Sequence, residues 1–403
     1  MREYMEVNNI YFGDNLELLQ KLPDNSIHSV VSDFPYNLGF MGKKWDTISN
    51  YQEWCSKRAK ELLRVLKPGG YALIFGGTRT HHRLVCAFED MGFEIRDEIQ
   101  WIYSSGFPKS YNISKGFDKL AGVQREIIGE YSHPTAKNGD RTGNKSPYQA
   151  ENCHLNGSYK ITAPTTNLAK QWDGWGTALK PAQEPIMVAQ KPIEKNYCRN
   201  VEKYGVGCIN IDGCRVPYQN KQDLEKVKAK CNFSENSKSI GFGTSDTLYG
   251  NGITPLEQAR DCVKEEGRFP SNIIFDENAG KILDKQSGIT KSGKVKNNKE
   301  SYNGDSNTNF LRGYTNQNNQ HGDEGGASRF FYCAKASTKD RTENNNITNN
   351  HPTVKPISLI KYLIKLVTPP NGVCLDICEG SGTHGKACVQ LTKEGYPINY
   401  IGF

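Results

Sequence analysis

The sequence predicts an α/β protein, a parallel sheet with crossover helices that carries a large irregular insertion. Two observations predict it. Near both ends of the chain, short apolar runs alternate with helical spacings of apolar residues, the pattern of strand–helix–strand units. Between them, from Ser104 to about Asn350, Gly, Asn, Ser and Lys become frequent and long amphipathic stretches largely disappear.

The first unit opens with the apolar run Ile10-Tyr11-Phe12, broken by Gly13-Asp14, after which Leu16, Leu19 and Leu22 line one helical face. Pro23-Asp24-Asn25 turns the chain into a buried strand, Ile27–Val31. Tyr51, Trp54, Ala59, Leu62, Leu63 and Leu66 recur at helical spacing, and Lys67-Pro68-Gly69-Gly70 is expected to stop that helix before a strand at 71–75. A further helix near 80–91, Gly92 and strand material at 93–103 complete this part. At the other end, Pro356 suits the first turn of a helix whose apolar face is Ile357, Ile360, Leu363, Ile364 and Val367. Val373–Ile377 is then a short strand, and Cys378-Glu-Gly-Ser-Gly-Thr383 runs into another helix.

Composition narrows the class. The 403 residues suffice for one large or two ordinary domains. No run of about 18 apolar residues exists, so a membrane span is not expected, and the N-terminus lacks the apolar core of a secretion signal. Twelve cysteines are scattered without a Cys-x-x-Cys pair, which points to reduced thiols in the cytoplasm and to no metal site. A net charge of +7 permits phosphate contacts where the cations cluster.

The chemistry is expected where the Ile27–Val31 strand ends, in Ser32-Asp33-Phe34-Pro35-Tyr36. Ligands of open α/β sheets bind beyond the carboxyl ends of the strands. An exocyclic amine on a nucleobase is a poor nucleophile, so a protein that modifies it must unstack the base, hold its π-face and accept hydrogen bonds from the amine. Asp33 and the Phe34 carbonyl are candidate acceptors, Tyr36 the stacking face, and Pro35 the constraint on the turn. The bland alternative is an ordinary proline turn after a strand. Downstream, Lys43, Lys44 and Trp45 sit in a glycine-rich loop suited to phosphate and stacking contacts. Gly380 and Gly382 would let backbone amides approach an anionic ligand at a helix N-terminus.

These stretches resemble the β group of amino-DNA methyltransferases. Asp33-Phe-Pro-Tyr36 is similar to motif IV, His351-Pro-Thr-Val-Lys-Pro356 to motif X, and Asp376-Ile-Cys-Glu-Gly-Ser-Gly-Thr383 to motif I, in the order that marks that group. The resemblance implies a Rossmann-like methyltransferase sheet with permuted motif order. It assigns residues 1–110 to the N-terminal part of the catalytic domain and 350–403 to its C-terminal part. Between them, 111–349 would be a target-recognition insertion that returns to the sheet near 172–191 and 328–336. The implied activity is methyl transfer from S-adenosylmethionine to adenine N6 of a base flipped out of double-stranded DNA. Relatives acting on cytosine N4 more often carry serine at position 33, and a cognate restriction nuclease is the implied partner.

By the same resemblance Asp33, Phe34, Pro35 and Tyr36 are the catalytic group. Asp14, Thr353, Lys355, Asp376, Gly380, Ser381, Gly382 and Thr383 bind the cofactor, and Lys43, Lys44 and Trp45 contact DNA. The sequence also departs from the family pattern. Phe34 replaces a proline of motif IV, and Ile377 and Cys378 replace Pro and Phe of motif I. Glu379 adds a carboxylate where a ligand carboxylate is expected, and Phe403 stands where relatives place an acidic residue for the ribose. A DNA-binding pseudoenzyme and a cytosine-N4 methyltransferase are the alternatives those departures raise.

Overall fold

The computed structural model describes residues 5–39, 44–104, 106, 110–132, 158–225, 264–291, 324–334 and 354–403. These fall into two compact units, Met1–Tyr36 with Asn50–Tyr103 and Glu184–Phe403, and Asn37–Ser49 with Ser104–Gln183.

The first unit carries the sheet. Its elements are β1 (Asn9–Ile10), α1 (Asn15–Lys21), β2 (Ile27–Asp33), α2 (Tyr51–Val65), β3 (Leu66–Phe75), α3 (His81–Asp90) and β4 (Glu94–Ile102). The second unit contributes α4 (Ile113–Leu120), the antiparallel pair β5 (Ile127–Ser132) and β6 (Ser158–Thr162), and α5 (Asn167–Gln171). The first unit resumes with β7 (Gln183–Gln190), α6 (Tyr197–Tyr204), β8 (Ile273–Asp276) and α7 (Glu277–Ser287). The small pair β9 (Thr290–Lys291) and β10 (Glu324–Gly325) follows, then β11 (Tyr332–Ala334), α8 (Ile357–Val367), β12 (Val373–Asp376), α9 (Thr383–Lys393) and β13 (Asn399–Gly402).

Among the described residues the main sheet has nine strands in the order β1-β13-β12-β2-β3-β7-β4-β8-β11. The pairs β1–β13, β13–β12, β12–β2, β2–β3, β4–β8 and β8–β11 are parallel. β7 runs antiparallel to β3, from Tyr71↔Gln190 to Phe75↔Ile186. The expected α/β sheet is therefore present, with one reversed strand inside it. On one face its core is apolar: Val31, Leu73, Phe75, Ile186 and Val188 from strands meet Leu359, Leu363 and Ile364 from α8.

One expectation needs correction. α2 ends at Val65 as expected, but β3 already opens at Leu66 instead of after Gly70, with Ile27↔Leu66 paired before a register shift that resumes at Ser29↔Tyr71. Gly69 makes this possible at φ +81, a conformation that costs glycine little. An added Cβ there would lie 2.4 Å from Asn200 Nδ2, which donates instead to the Pro68 and Val206 carbonyls at 2.9 and 2.8 Å. The segment 111–349 divides between the two units. Its first part, to Gln183, belongs to the second unit, while β7, β8 and β11 are strands of the main sheet. The returns expected near 172–191 and 328–336 correspond to β7 and β11.

Phe34 shows how the sheet supports its edge. Its ring is 1% exposed and packs edge-on to Trp54 at 5.5 Å and against Phe88 at 6.1 Å. The side chain that departs from the family pattern thus turns into the α2–α3 layer. Phe34→Ala is expected to lower the unfolding free energy by about 3–5 kcal/mol through transfer and cavity terms. Urea denaturation checks this; a loss under about 1 kcal/mol would show a layer that collapses to fill the space.

Candidate active site

β2 and β12 lie side by side and parallel, with Cys374↔Ser29 and Leu375↔Val30 in register. Their carboxyl ends therefore deliver Asp33 and Asp376 to one edge. Ser32 Oγ donates to Asp376 Oδ1 at 2.6 Å, a buried tie between residues 344 positions apart. The two halves of the site, far apart in sequence, are in hydrogen-bond contact.

After β12 the chain makes a tight glycine loop. Gly380 and Gly382 take φ +59 and +79, where a side chain would be strained. Glu379 N–H donates to the Phe403 carbonyl at 2.8 Å, and Phe403 N–H to the Asp376 carbonyl at 2.9 Å, so β13 clasps the loop. The Ser381 and Thr383 amides bond no protein acceptor among the described residues. They stand at the N-terminus of α9, where the helix dipole favours negative charge.

Part of that positive end is already taken. Glu379 turns inward, 7% exposed; its Oε1 accepts the Gly385 N–H at 3.0 Å and its Oε2 lies 3.3 Å from His384 Nδ1. Burial works against a proton on His384, yet the Cys374 and Cys388 sulfurs beside its ring hold its pKa well above the usual value. Burial, then the Glu379 carboxylate, push Asp376 up to about 7. Atoms of Asp376, Glu379 and His384 lie within 4.8 Å of one another. Two of their oxygens are already spent on the Ser32 hydroxyl and the Gly385 amide.

The second cluster is built on Lys355, which is 8% exposed. Its Nζ donates to Asp33 Oδ2 at 2.6 Å and lies 3.2 Å from Glu184 Oε2. Burial would strip the proton from Lys355, but the two carboxylates outweigh it and raise its pKa. Tyr36 OH donates to Glu184 Oε2 at 2.8 Å, and Thr80 Oγ1 donates to the Tyr36 carbonyl at 2.7 Å. Burial first, then Asp33 and Glu184, raise the Tyr36 phenol well above its ordinary value, so it stays a donor. A Cβ on Gly77 would come 2.9 Å from Tyr36 Cβ, which explains a glycine there. Asp33 Oδ1 is buried and has no hydrogen-bond partner among the described residues.

Val31, Ser32, Asp33, Lys355, Asp376 and the 378–384 loop line one cavity. Its free volume is about 40 Å³, room for roughly one water, so a larger ligand would have to extend beyond it. The structure thus brings together Asp33, Lys355, Asp376, Gly380, Ser381 and Thr383. Gly382 shapes the loop, and Tyr36 joins through Glu184. Lys355 was expected beside the cofactor, but its charge is engaged by Asp33 and Glu184. Asp14 caps α1, accepting the Leu16 and Glu17 amides at 2.9 and 3.3 Å, and is absent from the cavity lining. Lys44 and Trp45 form a short 3-10 turn of the second unit, both exposed. Lys43 and Thr353 lie outside the described residues. Glu184 and His384 escaped sequence reasoning, and Glu379 was read only as an extra acid beside the glycine loop. Only the Glu-Pro that opens β7 gave a signal, a carboxylate at the mouth of a buried strand.

Folded Asp376 keeps its proton to about pH 7, whereas an unfolded aspartate loses it near 3.8. The native state therefore holds the extra proton, and stability should fall as pH rises between those values. His384 pulls the same way above 6.5, because the folded ring keeps a proton that the unfolded ring sheds. Asp376→Asn is expected to flatten the decline in urea midpoint between about pH 4 and 7; an unchanged slope would mean that Asp376 ionises normally in the fold.

The family model described as DNA methylase (N6/N4 methyltransferases) matches residues 27–403. The type II methyltransferase M.HindIII of Haemophilus influenzae is 24% identical over 243 residues, 50% of this chain and 64% of the relative. M.BglII of Bacillus subtilis is 30% identical over 109 residues, 25% of this chain and 30% of the relative. The chain thus spans less than two thirds of the length of these curated relatives. Among solved structures, the PvuII DNA methyltransferase (cytosine-N4-specific) is 15% identical with a TM-score of 0.41, covering 98% of this chain and 80% of that one. The Thermus thermophilus DNA modification methylase TTHA0409, complexed with S-adenosyl-L-methionine, is 13% identical with a TM-score of 0.38, covering 98% and 86%. With the family model matching almost the whole chain, the protein belongs to the DNA methylase family of N6/N4 methyltransferases.

Proposed function

We propose that the protein transfers a methyl group from S-adenosylmethionine to the N6 amine of an adenine flipped out of double-stranded DNA. The observation that carries this is Asp33: one carboxylate oxygen is pinned by Lys355, and the other is buried at the carboxyl edge of the sheet with no partner among the described residues. A buried acceptor without a donor costs roughly 1–3 kcal/mol and invites one from a ligand.

The residues fit the cofactor. Free amides at Ser381 and Thr383 and the open glycine loop suit its carboxylate, with Asp376 beside them. When bound, it supplies an electrophilic sulfonium methyl. The chain supplies the rest. Asp33 Oδ1 accepts one amine N–H and draws nitrogen electron density towards the attacking lone pair. The Phe34 carbonyl takes the second N–H, and the Tyr36 ring stacks on the base. The amine lone pair forms the new N–C bond while the S–CH3 bonding pair stays with the cofactor sulfur, and the excess amine proton passes through Asp33 Oδ1 to water. Lys355 holds the carboxylate in place for this purpose.

Adenine is preferred over cytosine because an aspartate, not a serine, stands at position 33. Among the described residues no helix is long and apolar enough to cross a membrane, and nine cysteines are free thiols, in keeping with action in the cytoplasm. A second reading, DNA binding without transfer, is favoured by Glu379, which already fills part of the α9 N-terminus. Incubation with methyl-labelled cofactor and unmethylated genomic DNA, followed by nucleoside analysis, separates the readings. Label in N6-methyladenine is expected; label in N4-methylcytosine overturns the choice of base, and none overturns the reaction. Asp33→Ala should reduce transfer by about 100-fold or more while cofactor affinity changes less than about twofold. A mutant keeping most of its turnover removes Asp33 from the chemistry.

A further inference from the structure

We infer that Glu184 is a positioning residue of this site, acting through Tyr36 and Lys355; the role rests on the methyltransferase reading above. Glu184 opens the reversed strand β7, so it enters the edge where the parallel strand β2 ends. Its Oε2 binds two groups at once: it accepts from Tyr36 OH at 2.8 Å and faces Lys355 Nζ at 3.2 Å. The ammonium is thereby shared between two carboxylates, Asp33 at 2.6 Å and Glu184. Tyr103 belongs to the same neighbourhood: burial, then Glu184, push its phenol up to about 12.

Two consequences follow from that sharing. Three charges, two negative and one positive, leave the group with a net negative charge, so Asp33 keeps anionic character towards an amine despite its contact with Lys355. Without Glu184 the ammonium would belong to Asp33 alone and weaken it as an acceptor. Glu184 also holds the Tyr36 hydroxyl while Thr80 holds the Tyr36 carbonyl, and Gly77 leaves the ring room. The ring is thus fixed at two points before any base arrives, and the ordering cost of stacking falls. Neither the motif IV tetrapeptide nor the glycine loop contains this residue. It reaches them only through the fold.

The test replaces the charge while keeping the volume. Glu184→Gln in the full chain should lower kcat on unmethylated DNA by about 10- to 100-fold, with calorimetric affinity for S-adenosylmethionine and the melting temperature close to wild type. Glu184→Asp, which keeps a carboxylate, should retain more turnover than Glu184→Gln. In a Tyr36→Phe background the cost of Glu184→Gln should shrink several-fold, since part of its action runs through that hydroxyl. Turnover of Glu184→Gln within about twofold of wild type, an Asp variant weaker than the Gln variant, or fully additive losses would each overturn the inference. If Glu184→Gln melts early, the Asp variant and the double-mutant comparison still decide it. A wild-type protein that moves no methyl group overturns the methyltransferase reading itself, and this role with it.

Discussion

The site depends on one buried positive charge. Lys355 arrives just before α8, Asp33 from the end of β2 and Glu184 from the start of β7, and the ammonium joins all three. A buried ion pair of this kind is poor evidence for stability, because desolvation consumes much of the Coulomb gain. Its value is conformational. Removing the ammonium would leave two carboxylates facing one another in a poorly solvated space, so the edge has one good arrangement and few alternatives. The apolar walls around it, Phe34 packed on Trp54 and Phe88 below and α8 against β2 and β3, make that arrangement rigid.

A second charge group lies beside it and is built on different terms. Glu379 and His384 are both nearly buried, and they sit on the loop and first turn of α9, within five residues of each other. The carboxylate satisfies a helix amide and faces an imidazole, so its negative charge is balanced from within the chain. The sequence alone shows only an extra acid beside a glycine loop, which suggests repulsion of an anionic ligand. Once His384 and the Gly385 amide are seen, the acid is accounted for locally.

Much of the scaffold was legible in the sequence because it follows from periodicity. α2, α8 and the β12–α9 unit were readable from apolar spacing, a first-turn proline and glycines at a strand end. The failures share a cause. The Lys67–Gly70 segment has the composition of a helix stop, and α2 does end before it, yet backbone bonds of Gly69 and Gly70 with Lys191 and the Asn200 side chain draw it into strand. The direction of β7 and the partners of Lys355 depend on which strands become neighbours, and no local pattern encodes that. Asp33 and Tyr36 were readable because they share one tetrapeptide, whereas Glu184 is 148 residues from the tyrosine it holds.

The sheet's outer edge has a kinetic consequence. Among the described residues β1 pairs with β13 alone, and Asn8 bonds Asn399, 391 positions away in the chain. The centre of the sheet is similar, since β2 needs β12 on one side. A ribosome adding residues at the usual rate takes roughly 20–80 s to cover such a distance. During that time β2 emerges with one edge unpaired and the Asp33 end without its Asp376 neighbour. Pairings this distant in sequence close slowly, so the nascent chain presents an open strand edge for much of its synthesis, and chaperone dependence during expression is the expected price of a motif order that splits one sheet between the two ends of a chain.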